Sequence, residues 1–168
     1  TTVRDMLLTR GSGVDIGVLL DGATAPFLTG INIVNVDVSA LSFGVLSIGN
    51  IGDGNVATTD VTIRGNSSAD KAIFEDTTQA ALALGDVDGD AVYLVKDVII
   101  QDGADADVLS AGIDGIALGS IGAVTIQGVN MTQNAGSDGI FVGPTLTDAT
   151  ILIGGPNAGD GNTIRGLS

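Results

Sequence analysis

The chain of 168 residues contains no cysteine, no histidine and no tryptophan. Without cysteine it can form no disulfide framework and has no thiolate nucleophile, and without histidine it can build no histidine-based catalytic relay. Aromatic residues make up only 3% of the sequence. The core must therefore be built mainly from Ala, Val, Ile and Leu.

Basic residues are also scarce, because 6 Lys and Arg stand against 20 Asp and Glu, which gives a net charge of −14. Proteins bind nucleic acids and anionic membrane surfaces through Lys and Arg, so we expect neither partner. The mean hydropathy is +0.45. Gly, Asp or Asn nevertheless interrupts every apolar run long before the roughly 20 residues that a membrane-spanning helix needs, so we expect no membrane insertion.

Glutamate is almost absent, since Glu75 is the only one in the sequence. Asp favours turns and Glu favours helices, so this bias indicates acids at corners and very little helix. The 26 glycines fit the same interpretation, because tight turns need them.

One four-residue pattern returns along the chain, with apolar first and third positions and variable second and fourth positions. Its six copies begin at Met6, Ile31, Val61, Val98, Val124 and Ile151. Alternation with a period of two marks a strand with one buried face. Return after about 25 to 30 residues indicates one coil of a solenoid, and predicts about six coils stacked at the strand spacing of about 4.8 Å.

A second family of strands supports this organisation. Its members are Gly17–Leu20, Gly44–Ser47, Ala72–Glu75, Gly115–Leu118 and Gly139–Val142. The interval from Val61 to Val98 exceeds the others, which predicts a longer insertion around residues 77–95. The prediction is an all-β, single-stranded parallel β-helix, one domain over residues 1–168, with no capping helix at either end.

The segment 153–166, Ile-Gly-Gly-Pro-Asn-Ala-Gly-Asp-Gly-Asn-Thr-Ile-Arg-Gly, resembles the repeat of right-handed parallel β-helix proteins of the bacterial secreted or surface type. Segment 48–55 resembles a shorter form of the same turn, and Asp138-Gly139-Ile140 stands where this family often has Asp-Gly-Ile. The resemblance implies a right-handed coil and a place outside the cell. It does not decide function, because the same scaffold serves pectin-type lyases and hydrolases, phage tailspikes, adhesins and surface-layer proteins.

Enzymes on this scaffold combine clustered carboxylates with a basic residue and line their clefts with aromatic side chains. This sequence has no Asp-Asp or Asp-Glu dipeptide, and among its basic residues Arg64 is the candidate, at an outward strand position near Asp60 and Lys71. The alternative is a solvated arginine on a sheet face. We predict that the chain is not an enzyme.

The segment Gly85–Asp90 is the candidate metal site. Its Asp86, Asp88 and Asp90 resemble the calcium loops of extracellular repeat families, in which alternate acids on a glycine-tightened turn point at one cation. The alternative is that these acids cap a turn. A second acidic cluster comprises Asp102, Asp105 and Asp107.

Together these features predict an extracellular structural or adhesive module, secreted or at the cell surface, that assembles end to end into a fibre or surface layer. Its partners would be other copies, or further coils of a longer chain, at the terminal coils, with glycans as a further partner. The alternative function is the scaffold part of a polysaccharide-binding or polysaccharide-degrading protein: a lyase, hydrolase or tailspike.

Overall fold

The computed structural model describes residues 1–9, 16–23, 28–101, 114–132, 139–143 and 149–165. These ranges contain fifteen strands. The strands are β1 (Thr2–Thr9), β2 (Ile16–Gly22), β3 (Ile31–Ser39), β4 (Phe43–Gly49), β5 (Val61–Arg64), β6 (Ala72–Glu75), β7 (Ala80–Leu84), β8 (Val92–Lys96), β9 (Val98–Gln101), β10 (Asp114–Leu118), β11 (Ala123–Gln127), β12 (Asn130–Thr132), β13 (Ile140–Val142), β14 (Thr150–Ile153) and β15 (Thr163–Arg165). Within the same ranges there is no helix, and so none that could span a membrane.

The strands pair in parallel and stack as a β-solenoid of about four turns. The first face consists of the N-terminal half of β3 with β5, β8, β11 and β14, and the second face of the C-terminal half of β3 with β6, β9, β12 and β15. The third face consists of β2, β4, β7, β10 and β13. Strand β1 pairs with β3 along both of its halves. The prediction of an all-β parallel solenoid is confirmed.

The number of turns is about four rather than the about six predicted. A turn is complete only when the chain returns to the same face, and the third face holds five strands. The last pattern copy, in β14, is followed by β15 on the second face but by no strand of the third face in the described residues. Counting pattern copies therefore overestimates the number of complete turns.

Residues 77–95 are not an insertion. Val61 of β5 pairs with Tyr93 of β8, whereas Val98 lies in β9 on the second face. The segment holds the regular strands β7 and β8 of the solenoid. The sequence pattern missed β8 because a tyrosine occupies the inward position that is Val or Ile in the neighbouring strands.

Two further members of the predicted strand families belong to a different face. Met6 pairs with Val36 in the C-terminal half of β3, so its pattern copy lies on the second face. Ala72–Glu75 also lies on the second face, and the third-face strand of that turn is Ala80–Leu84. Alternation shows which side of a strand is buried, but it is the same on all three faces and so cannot assign a strand to a face.

The core consists of rows of inward side chains, one side chain from each strand of a face. The central rows are Ile33, Ile63, Val95 and Ile126 on the first face, Val38, Phe74, Ile100 and Met131 on the second, and Val45, Leu82 and Ile116 on the third. Each of these side chains is at most 1% exposed. Their neighbours in a row lie one strand spacing away, about 4.8 Å, so stacking of the turns is what removes them from water.

The bend between the first and second faces occurs six times, and in four places it contains a single residue with left-handed backbone. These residues are Asp5, Asn35, Asp97 and Gly128, with φ of 53°, 52°, 54° and 62°. This left-handed backbone region is most accessible to Gly, Asn and Asp, which explains the residue types found there. In the other two places, the loops 65–71 and 154–162 replace this bend.

Tyr93 links two faces across the core. Its hydroxyl donates to the carbonyl oxygen of Gly85 at 2.8 Å and lies 2.9 Å from the hydroxyl of Ser47, which in turn accepts from the Gly85 amide at 2.9 Å. Burial raises the pKa of Tyr93, so the phenol stays protonated and available as a donor. The polar Ser47 is therefore satisfied inside a row that is otherwise apolar.

Replacement of Gly44 tests the tightness of the core. A Cβ at this position would overlap the Phe74 ring and would lie 2.5 Å from the carbonyl oxygen of Ala81. We expect Gly44→Ala to lower the free energy of unfolding by about 1–3 kcal/mol or more, as overpacked cores do. The matched control is Gly161→Ala, where a Cβ would meet no atom within 4 Å. Urea denaturation followed by circular dichroism measures both, and equal stabilities would contradict the packing described.

Candidate functional site

The corner between the third and first faces is rich in acid. We call Asp53, Asp60, Asp86, Asp88 and Asp90 the acidic corner, since all five lie in the connections from β4 to β5 and from β7 to β8. The basic side chains of the described residues lie in or next to strands of the first and second faces, away from these two connections. The acidic corner therefore concentrates negative charge along one edge of the solenoid, with Asp60 and Asp86 buried and the other three acids more accessible.

Asp86 caps the turn from β7 to β8. Its carboxylate is buried and accepts hydrogen bonds from the amides of Ile51, at 3.0 Å, and Asp90, at 2.9 Å. Burial alone would raise the pKa of Asp86, but these amides, with those of Asp88 and Gly89, outweigh it and lower the pKa below its ordinary value. The bond to Ile51 joins this turn to the preceding one.

Asp60 and Asp90 are the less satisfied acids of this corner. Burial raises the pKa of Asp90, and the neighbouring carboxylates of Asp86, Asp88 and Asp60 raise it further. Asp60 is 1% exposed; one carboxylate oxygen accepts from the Val92 amide at 2.9 Å, and the other has no hydrogen-bond partner among the described residues. In the sequence Asp60 stands out only as a neighbour of Arg64, since no motif marks it.

The structure places Asp86, Asp88 and Asp90 in one turn but does not turn them toward a common centre. The described part of the chain holds no group of three His, Cys, Asp or Glu arranged to bind a metal ion. Both oxygens of Asp86 are engaged by amides, and Asp88 is exposed. Turn capping is what the geometry shows, and calcium binding stays a prediction. Asp102, Asp105 and Asp107 lie outside the described residues.

The basic side chains hold loops in place. Arg64 is half-buried and donates to the carbonyl oxygen of Gly65 at 3.0 Å. Lys71 donates to the carbonyl oxygen of Gly128, which lies in the second bend after loop 65–71, beyond the bend at Asp97. Lys96 lies 3.7 Å from Asp160. No arrangement of a base with two carboxylates is seen around Arg64 in the described residues, and the prediction that the chain is not an enzyme stays untested.

One pair of adjacent acids is present, in the order Glu-Asp. Glu75 ends β6, where its carboxylate accepts from the Gln101 side chain at 3.3 Å, and Asp76 forms a bend with φ of 53°. Both residues are thus placed by the corner between the second and third faces. The absence of Asp-Asp and Asp-Glu dipeptides therefore does not mean that the sequence lacks adjacent acids.

A shallow apolar trough of about 270 Å³ crosses the outer side of the third face. Leu46 and Phe141 flank it, and the small side chains of Ala83 and Ala117 form its floor. No charged side chain lines it. The one lining hydroxyl, that of Ser47, is already bonded inside the core.

The terminal strands leave the ends of the core rows uncovered. Met6 in β1 is 45% exposed, and at the other end Val142, Ile153 and Ile164 are 48%, 52% and 40% exposed. Each of them continues an inward row whose next member is at most 1% exposed. The two ends therefore present apolar core surface beside strand edges that have no partner among the described residues.

Comparison with protein-family models, curated proteins and solved structures found no match to this chain. The acidic corner and the terminal strands are therefore the features of the solenoid that bear on its function.

Removal of the Asp86 carboxylate tests its capping role. Asp86→Ala leaves the Ile51 and Asp90 amides without their acceptor, and we expect the free energy of unfolding to fall by about 3 kcal/mol, as for two charge-assisted hydrogen bonds. Asp88→Ala is the matched control, because Asp88 lies in the same turn and is exposed. Chemical denaturation compares the two variants, and equal losses would contradict the account.

The calcium prediction has a separate test. A site with a Kd of about 10⁻⁴ to 10⁻³ M, as in extracellular modules, would stabilise the fold by about 1.4–2.7 kcal/mol in 10 mM calcium. Thermal denaturation with calcium should then show a higher Tm than with magnesium, and Asp88→Asn should remove the difference. Identical Tm values in the two salts would refute calcium binding.

Proposed function

We propose that this protein is an extracellular structural module of the right-handed parallel β-helix type that extends end to end into a fibre or surface layer. The observation that carries the proposal is the exposure of core-row side chains on the terminal strands. Inside the stack, an inward side chain is covered by the turns on either side of it, whereas Met6, Ile153 and Ile164 are about half uncovered.

An added turn would complete these ends in two ways. Burial of apolar surface contributes about 25 cal/mol for each Å² removed from water, and the parallel ladder supplies partners for the free backbone groups of the edge strands. Unpaired, flat strand edges with apolar side chains are also the edges that most readily recruit another chain. Both effects favour continuation of the stack at its ends.

Charge directs association to the ends rather than to the sides. The chain carries −14 overall, and the acidic corner concentrates part of that charge along one side. The terminal strands β1, β2, β13, β14 and β15 hold two acids and two bases, which cancel. These residues are Asp5, Asp21, Arg4 and Arg165. Identical chains therefore repel one another least where their ends meet.

Assembly is tested by placing a charge on the exposed core edge. The 168-residue chain should form rods many times longer than its own length of about 30 Å. Ile153→Asp should raise the concentration needed for assembly by about 100-fold or more, since burying an unpaired carboxylate costs at least about 3 kcal/mol. Analytical ultracentrifugation and electron microscopy over a range of concentrations measure the effect.

The matched control is Val87→Asp, which adds the same charge at a residue that is 69% exposed in the turn between β7 and β8. This variant should assemble like the parent chain. Monomers at every concentration of the parent chain would overturn the proposed function, and equal loss of assembly in both variants would show that general repulsion, not the end surface, is responsible.

A further inference from the structure

The strand register inside the solenoid specifies how two ends would meet. One row of paired residues on the first face begins at Val3 and runs through Ile33, Ile63, Val95 and Ile126 to end at Ile153. The corresponding row on the second face begins at Leu8 and ends at Ile164. On the third face a row begins at Leu20 and ends at Val142, one strand earlier than on the other two faces, because this face has five strands. Each row thus starts and ends with an apolar side chain.

The bends at the two ends also match a junction that already exists within the chain. At the C-terminal end, loop 154–162 separates β14 from β15, just as loop 65–71 separates β5 from β6. The turn stacked on β5 and β6 is β8 and β9, joined by the single left-handed residue Asp97 with φ of 54°. Strand β1 has the same single-residue bend, at Asp5 with φ of 53°. The N-terminal edge therefore has the form of β8 and β9, the strands that stack on a turn whose bend is replaced by a loop.

On the basis of the proposed function, we propose that the partner at each end is a second copy of this chain, stacked head to tail in the internal register. Val3 of one copy lies over Ile153 of the preceding copy, and Leu8 lies over Ile164. The neutral charge of the terminal strands allows identical copies to make this contact. Because the contact joins two different surfaces and involves no rotation that closes a ring, it generates a filament.

The register predicts which outward side chains become neighbours across the junction. The outward row on the second face begins at Leu7 and runs through Asp37, Ile73, Ile99 and Asn130 to Thr163. Leu7 is 69% exposed and Thr163 is exposed as well. Neighbours on adjacent strands are about 4.8 Å apart, within the Cα separation of about 4.4–6.8 Å that a disulfide spans.

Disulfide cross-linking tests this register directly, because the chain has no cysteine of its own. The double variant Leu7→Cys/Thr163→Cys, oxidised at concentrations where the parent chain forms rods, should give a ladder of dimers, trimers and longer species on non-reducing gels. The two positions lie at opposite ends of one molecule, so each cross-link joins two copies. The matched control is Thr9→Cys/Thr163→Cys, which shifts one cysteine by two residues along the same side of β1, about 6.6 Å. This control variant should give no ladder of cross-linked species.

The outcomes separate this inference from the function on which it rests. Rods without a Leu7/Thr163 ladder, or with a Thr9/Thr163 ladder, would overturn the register and leave end-to-end assembly standing. Dimers formed by Leu7→Cys alone would indicate head-to-head contact and overturn the head-to-tail arrangement. The absence of both rods and ladders would overturn the inference and the proposed function together.

Discussion

The parallel stacking of one turn on the next is the interaction on which this protein depends. A single turn cannot bury its interior, because its inward side chains are covered only by the turns on either side. Ile63, for example, is fully buried between Ile33 and Val95, whereas Ile153, in the same row, is 52% exposed at the end of the stack. The array is thus the stable unit, and within the described residues the inward side chains of its first and last strands are the least covered.

The corners serve this stacking and account for the unusual composition. Single left-handed residues such as Asn35 and Asp97 turn the chain without breaking the register of the strands beside them. Asp86 joins two successive turns by accepting the Ile51 amide, and the Asn35 side chain donates to Asp5 of the turn below at 3.1 Å. The excess of Asp over Glu follows from this use, because a short carboxylate can cap a turn while the backbone bends around it.

Much of this fold could be predicted from the sequence, because the period of two and its regular return report directly on buried strand faces. The assignment of strands to faces could not, since all three faces share that period. Because Tyr93 stands where the neighbouring strands have Val, the sequence pattern does not reveal β8. The pattern copies at Met6 and Val98 belong to the second face, not to the first face as the pattern suggests. The acidic corner was foreseen in part: Asp86, Asp88 and Asp90 stand together in sequence, but Asp60 joins them only through the return of the chain, which no local motif reveals.

The same register that buries the core would also define the proposed junction between copies, so the fold and the proposed assembly rest on one interaction. Cryo-electron microscopy of the rods at a resolution that separates strands is the most direct measurement of this claim. The first and second faces each contribute six strands from every copy when β1 is counted, which predicts an axial repeat of about 29 Å with unbroken strand spacing of about 4.8 Å along these two faces. The third face contributes five strands and is therefore one strand short of this repeat. A longer repeat, or a gap in the strand spacing of the first and second faces at the junction, would contradict the account.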